Sequence, residues 1–308
     1  MIAPSTVLLF LAAAVPGAAL LPAWLRRARP PGSARAAGWQ LPLARPIVCA
    51  HRGGAHLFPE NTLQAFQAAA RDHGCRFMEL DVRATADGAP VVVHDADMAR
   101  VAGRPATVHE CTLAELQALN AAATFVSHEG LAWPESAVAV PTLESVLRAL
   151  PDCIFSIDVK QSRPDCVPTV VDVVRGSGAA ARVLIGAADW PTMRRIQTLA
   201  PELATFYARR SMVRFLLALY LGLLRWYTPP HNSLQVPERA FGLRLVTPRL
   251  LRGARRLGLP VLVWTVNEPH AMRRLLALGV DGIITDRPDL LSAIIAERAQ
   301  TPPAGPRG

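Results

Sequence analysis

Residues 77–95 read FMELDVRATADGAPVVVHD. The first half is an apolar run, Phe77 to Val82, into which two carboxylates, Glu79 and Asp81, are set. In an extended chain residues two apart share a face, so both carboxylates project from the same side of one strand. The apolar neighbours Phe77, Met78, Leu80 and Val82 argue against a solvent-facing edge. Buried in this way, a carboxylate pair is costly unless it holds a cation or meets a cationic side chain. Oxygen ligands of this hardness suit Mg²⁺ or Ca²⁺. The second half repeats the plan, with Val91–Val93 running into His94 and Asp95.

The same design recurs outward along the chain. Ile47–Ala50 runs into His51-Arg52-Gly53-Gly54, and Ile154–Val159 carries Asp158 and runs into Lys160. Val261–Trp264 precedes Asn267, and Gly282–Thr285 precedes Asp286. With Val91–His94, Val183–Gly186 and Ala204–Tyr207, these give eight candidate strands. Several are continuously apolar, as parallel strands covered on both faces are. Helical patterns lie between them at Thr62–Asp72, Thr142–Leu150, Pro191–Leu199, Pro248–Leu257, Pro269–Leu278 and Pro288–Glu297. Several open on Thr or Pro, and Gly258 and Gly279 follow two of them, as caps do. Polar residues at the ends of many different strands are what a barrel needs, because all those ends meet at one mouth. A doubly wound sheet would gather them at one switch point, and no GxGxxG fingerprint is present. The expected fold is therefore an α/β TIM (β/α)8 barrel over residues 45–299. The stretch at about 96–140 breaks the rhythm and reads as a small insertion after the early strands.

The chain has 308 residues, 51% hydrophobic and 19% charged, which excludes a disordered protein. The formal net charge is +9, carried almost wholly by arginine, and Lys160 is the single lysine. No basic cluster interleaved with aromatics occurs, so nucleic acid is not an expected partner. Five cysteines without CxxC spacing argue against a disulfide framework and favour a reducing compartment.

Met1–Leu25 contains no charged residue and has about the ~20-residue length of a membrane span. Arg26, Arg27 and Arg29 follow it, and positive-inside logic then places the remaining chain in the cytoplasm behind a single N-terminal anchor. A cleaved signal, with a secreted or periplasmic product, is the alternative. Residues 26–44 read as a linker and 300–308 as a flexible tail. A second apolar run, Phe215–Leu224, lies in a helix expected at about 211–227. Ten residues are too few to span a bilayer. Either this is a buried core helix, or it lies in a membrane interface with Trp226 and Tyr227 at headgroup level.

Two strand-end histidines, His51 and His94, could serve as acid and base on opposite sides of one phosphorus. Arg52 presents a fork suited to phosphate oxygens. Asp158 and Lys160 share a strand face and offer a carboxylate and a compact ammonium to one place. No GxSxG, HExxH or Cys/His cluster occurs, which speaks against Ser-His-Asp and zinc chemistry. The other histidines, His56, His73, His109, His128, His231 and His270, read as surface or insertion residues, with His56 the exception because it lies beside the first motif.

Taken together, five stretches resemble the glycerophosphodiester phosphodiesterase family. They are AHRGGAHLFPENTLQAF (50–66), MELDVRATADGAPVVVHD (78–95), FSIDVK (155–160), VLVWTVNEP (261–269) and GVDGIITDRPDLL (279–291). The resemblance spans Ile47–Leu291 and implies a TIM barrel with a small insertion. It implies His51 and His94 as the catalytic pair. It implies Arg52, Lys160 and Trp264 on the substrate, and a divalent cation, Mg²⁺ or Ca²⁺, held by Glu79 and Asp81. Asp158 joins that metal set where many members have Glu, one methylene longer, and Glu60 of the PENT signature is added to it. The substrate class implied is a glycerophosphodiester, cleaved to the headgroup alcohol and a glycerol 3-phosphate moiety. The 211–227 segment is similar to the membrane-associated, lysophospholipase D-like branch, which implies a lysophospholipid substrate and a membrane surface as partner. Two rival readings are a phospholipase C or D on another phospholipid and a catalytically inactive lipid-binding protein.

Overall fold

A computed structural model describes residues 39, 41–133, 137–240 and 242–300. The expected anchor or signal (1–25), most of the expected linker and the tail beyond residue 300 lie outside them. In chain order the strands are β1 (Ile47–His51), β2 (Phe77–Ala84), β3 (Pro90–Val92), β4 (Ile154–Val159), β5 (Val183–Gly186), β6 (Ala204–Thr205), β7 (Leu234–Pro237), β8 (Arg239–Ala240), β9 (Leu243–Arg244), β10 (Val261–Trp264) and β11 (Gly282–Thr285). The helices are α1 (Leu63–Asp72), α2 (Ala99–Ala102), α3 (Leu113–Gln117), α4 (Leu143–Ala149), α5 (Val167–Gly176), α6 (Trp190–Leu199), α7 (Arg209–Tyr220), α8 (Pro248–Arg256), α9 (Pro269–Leu278) and α10 (Pro288–Gln300).

Eight strands pair in parallel in the order β6-β5-β4-β2-β1-β11-β10-β7. The two ends of this series meet through a parallel bridge between Phe206 and Ser233. Backbone N–H groups of Tyr207 and Asn232 add hydrogen bonds to the carbonyls of Ser233 (3.1 Å) and Thr205 (2.7 Å) across the same seam. The sheet thus closes into a TIM-like barrel with helices outside it.

Period-two alternation decides what fills the barrel. Ile47 and Cys49 of β1, Phe77 of β2, Ile154 of β4, Leu184 of β5, Leu262 of β10 and Ile284 of β11 form one buried cluster. Trp39, Leu41 and Leu43 pack onto the same cluster. Two residues further along the same parity come His51, Glu79, Ser156, Trp264 and Asp286, and then Asp81, Asp158 and Lys160. The barrel interior therefore passes from an apolar plug to titratable groups at the C-terminal strand ends. The alternate residues, such as Met78, Leu80, Phe155 and Ile157, pack outward against the helices.

Helix starts follow their caps. Thr62, Thr142 and Thr247 each accept a backbone N–H from the first turn of α1, α4 and α8. Gly279 closes α9 in the left-handed region, φ 82°.

The structure corrects one expected strand and adds one that was not expected. Val91–His94 does not enter the barrel: β3 folds back antiparallel on β2, pairing Val82 with Val92. From there the chain builds a separate small core around Val91, Met98, Val108, Leu116 and Val140, within the stretch read as an insertion. The eighth barrel strand is β7, whose Leu234-Gln235-Val236-Pro237 was not among the expected strands. The apolar helix expected at 211–227 is α7, which stops at Tyr220. Leu221 and Gly222 (φ 72°) turn the chain, and a short 3₁₀ turn, Leu224–Trp226, follows. Among the described residues no helix is long and apolar enough to cross a membrane.

Candidate active site

The mouth is assembled from the strand ends. His51 closes β1, and its Nδ1 lies 2.6 Å from Asp286 Oδ1 just past β11. Asn267 Nδ2 donates to the other Asp286 oxygen at 2.7 Å. This fixes the ring and leaves Nε2 facing the interior, 3.8 Å from Glu79. Burial pulls the His51 pKa down, but the Glu79 and Asp286 carboxylates more than offset it, and it lies above the ordinary histidine value. His94 follows β3, with Nδ1 2.7 Å from Asp95, and Arg100 holds Asp95 in turn at 2.6 Å.

Asp81 is fully buried and sits at the centre. Asn61 Nδ2 donates to it at 2.9 Å. Arg52 Nε lies at 3.1 Å and Lys160 Nζ at 3.1 Å. Burial raises its pKa, yet Lys160 and Arg52 outweigh that and hold it below the usual carboxylate range. β2 and β4 place Asp81 beside Asp158 in register, and Lys160 Nζ reaches Asp158 at 2.6 Å. Glu79 is different. Burial, then repulsion from Asp81, pushes its pKa up to about 7. Burial also raises Asp158 despite Lys160.

Arg52 (φ 52°) and Asn61 (φ 57°) are the described non-glycine residues in the left-handed region. They are tied together by Asn61 N–H donating to the Arg52 carbonyl at 2.9 Å. Backbone strain at two residues that both touch Asp81 marks the site as over-determined by its surroundings. Gly53 (φ 85°) completes the turn, and a Cβ there would come within 2.8 Å of Ala65 at the start of α1.

Among the described residues no three His, Cys, Asp or Glu side chains close into a finished cation cage; Lys160 bridges Asp81 and Asp158. The donor chemistry nonetheless fits a hard divalent ion. Asp158 Oδ1 is buried without a hydrogen-bond partner, Asp81 Oδ1 has the Lys160 ammonium at 3.1 Å but no hydrogen bond, and both carboxylates repel Glu79, which His51 and Lys160 offset in part. Glu60 stands apart from this set: its oxygens accept from Arg52 at 2.9 Å and from Arg100 at 2.7 Å, so its carboxylate positions guanidinium groups. Trp264 ends β10 at the mouth, 43% exposed.

Asp286, Asn61 and Asn267 were not singled out as site residues from sequence. Asp286 had a signal, the same strand parity as Ile284. Asn267 had its place just after the Val261–Trp264 strand, and Asn61 had none, since its role comes from a partner 20 positions away. His56 stands 3.8 Å from Asp286, in keeping with its place beside the first motif. His231 is not a surface residue: it is 0% exposed and lies between Thr205 (2.9 Å) and Ser211 (2.8 Å).

Residues 51–290 match the glycerophosphoryl diester phosphodiesterase family. A Mycobacterium tuberculosis protein named "Probable glycerophosphodiester phosphodiesterase 2" is 34% identical over 259 residues, 82% of this chain and 92% of its own. A lysophospholipase D of Rattus norvegicus is 23% identical over 266 residues, 80% of this chain and 84% of its own. The crystal structure of a glycerophosphoryl diester phosphodiesterase domain from Mycobacterium tuberculosis superimposes with a TM-score of 0.68 at 24% identity, covering 82% of this chain and 100% of that one. That likeness shows the fold.

Proposed function

The chain belongs to the glycerophosphoryl diester phosphodiesterase family, and on that premise we propose that it hydrolyses glycerophosphodiesters to a headgroup alcohol and a glycerol 3-phosphate moiety. The observation that carries the reading is the mouth itself. His51, held by Asp286, presents Nε2 3.8 Å from Glu79, and Glu79 shares the mouth with Asp81 and Asp158, where Lys160 and Arg52 are bound to Asp81.

Glu79, Asp81 and Asp158 would hold a divalent cation, Mg²⁺ or Ca²⁺, which when bound supplies charge stabilisation at the phosphoryl oxygens. The chain's own groups do the rest. Arg52 and Lys160 add fixed positive charge where the phosphoryl group develops negative charge. Asp286 keeps the proton on Nδ1 of His51, so proton exchange with substrate occurs at Nε2. His51 and His94 share the two proton transfers, one from the attacking water or hydroxyl and one to the departing alcohol. Trp264 offers an exposed aromatic face to the substrate at the rim.

Retention of an acyl chain, as in a lysophospholipid, is the finer proposal. The relative named a lysophospholipase D and the exposed apolar residues of α7 support it. The uncharged stretch 1–25 ahead of Arg26, Arg27 and Arg29 supports an N-terminal anchor with the barrel on the cytoplasmic side. The test is choline release from glycerophosphocholine and from lysophosphatidylcholine after chelation, then with Mg²⁺ or Ca²⁺ restored. Metal-dependent release that falls by about 10²–10⁴-fold in His51→Ala is expected. Release that survives chelation and the substitution would overturn the reading.

A further inference from the structure

The formal charge of this chain is unevenly placed. From Leu203 to Asn267 there are ten arginines and one acidic residue, Glu238, a net of +9 that equals the charge of the whole chain. Glu238 is itself taken, 2.6 Å from Arg274. The segment contains α7 and α8, which pack on one another. Between them lies a groove of about 670 Å³, apart from the carboxylate mouth, with Leu219 and Leu224 among its walls and Arg225, Arg249, Arg252 and Arg256 around it.

The four arginines face outward. Arg225 stacks over Trp226 at 3.6 Å and Arg249 over Tyr220 at 4.7 Å. None of the four has an acidic side chain within ion-pair distance among the described residues. Exposed apolar groups adjoin them: Val213, Tyr220 and Leu221 are 44–48% exposed. Position matters too. Arg210 and Arg214 of α7 lie over Trp190, the first residue of α6, and Arg249, near the start of α8, donates to the carbonyls of Leu219 and Tyr220. Helices of a barrel start on the side of the strand C-termini. α7 is therefore tied to the starts of α6 and α8, the ends of those helices nearest the mouth.

We infer that the α7–α8 groove and its apolar margin dock on an anionic phospholipid bilayer, with headgroup phosphates against Arg225, Arg249, Arg252 and Arg256 and with Tyr220 and Leu221 entering the interface. Charge complementarity selects an anionic surface. The apolar margin selects a membrane over a nucleic acid, which would leave Val213 and Leu221 without a role. The inference rests on no part of the phosphodiesterase reading.

The test is local amide hydrogen exchange on the full chain, with vesicles of phosphatidylcholine alone or with roughly one-third phosphatidylglycerol. Peptides covering 217–226 and 249–256 are expected to slow only with the anionic vesicles, and less so at high salt. Each arginine contributes about a fivefold preference for such a surface, so the Arg252→Gln/Arg256→Gln protein is expected to bind about 25-fold more weakly through this face. Its turnover of water-soluble glycerophosphocholine is expected to be unchanged. Reading exchange at these peptides separates this face from any contact made by residues 1–25. Equal protection by both vesicles, no protection at these peptides, or protection by duplex DNA in place of vesicles would each overturn the inference.

Discussion

Asp286 decides what His51 can do. Its carboxylate lies 2.6 Å from Nδ1 and is itself gripped by Asn267, so it orients the ring and favours the imidazolium. Replacing it by Asn removes the charge and keeps the shape. The pKa of His51, raised by Glu79 and Asp286 against burial, should then fall. The expected outcome for Asp286→Asn is a loss in kcat/KM approaching about 100-fold, the order that roughly 1 Å of misplacement costs. The His51 limb of the pH–rate profile should move to lower pH in the same protein. A loss of rate with an unmoved limb would reduce Asp286 to a packing role. The charged groups around Asp81 were legible in the sequence because strand parity alone puts Glu79 with Asp81 and Asp158 with Lys160. Asp286 and Asn61 act through groups 235 and 20 positions away, and no local pattern announces such a partner. Glu60 shows the converse: beside its motif it reads as a ligand, and its partners Arg52 and Arg100 come into view only in the fold.

At the scale of elements, close approach of backbones fixes residue choice. Gly282 opens β11 opposite Ile47 of β1, and a Cβ there would sit 2.9 Å from both Ile47 Cβ and Ile47 O. Neither is the end of a flexible side chain, so the strands themselves would have to part. Gly282→Ala is expected to destabilise by about 1–3 kcal/mol, seen as a melting temperature several degrees lower. Gly176, at the end of α5, meets nothing within 4 Å. Gly176→Ala should be neutral or stabilising by up to about 1 kcal/mol. Equal effects of the two substitutions would refute the steric account. Most strands were readable as apolar runs, and Ile154–Val159, Val183–Gly186, Val261–Trp264 and Gly282–Thr285 stand at their expected bounds. The failures have physical causes. β7 is short, holds Gln235 and ends in Pro237; Gln235 points into the barrel, where it donates to Ser156 at 2.7 Å. Val91–Val93 is apolar because it covers a second, smaller core, and periodicity does not say which core a run serves. α5 was missed since its β-branched valines resemble a strand, while Val167, Val170, Val171 and Val174 in fact bury one helical face.

For the molecule as a whole, the barrel has one thin seam. β6 is two residues long and meets β7 through a single bridge, so side chains carry much of the closure. His231 is the central one, linking Thr205 of β6 and Ser211 of α7 from a fully buried position. Burial lowers its pKa to about 3. Above the ordinary histidine pKa of about 6.5 the ring is neutral in both folded and unfolded chains and contributes no pH dependence. Below it the unfolded chain takes up a proton that the folded chain refuses. Stability is therefore lost as pH falls from about 6.5 toward the folded value, by up to about 1.4 kcal/mol per pH unit. Between pH 7.5 and 5.0 this single residue accounts for about 2 kcal/mol. Gln at the same place keeps a neutral polar group between Thr205 and Ser211 but cannot titrate. His231→Gln should be less stable at pH 7.5 by about 1–3 kcal/mol, the cost of imperfect hydrogen bonds in a buried site. It should also lose about 2 kcal/mol less than the parent protein on going to pH 5.0. Urea denaturation at the two pH values measures both quantities. Parallel losses in the two proteins would show that acid opens the barrel elsewhere, through groups other than the seam histidine.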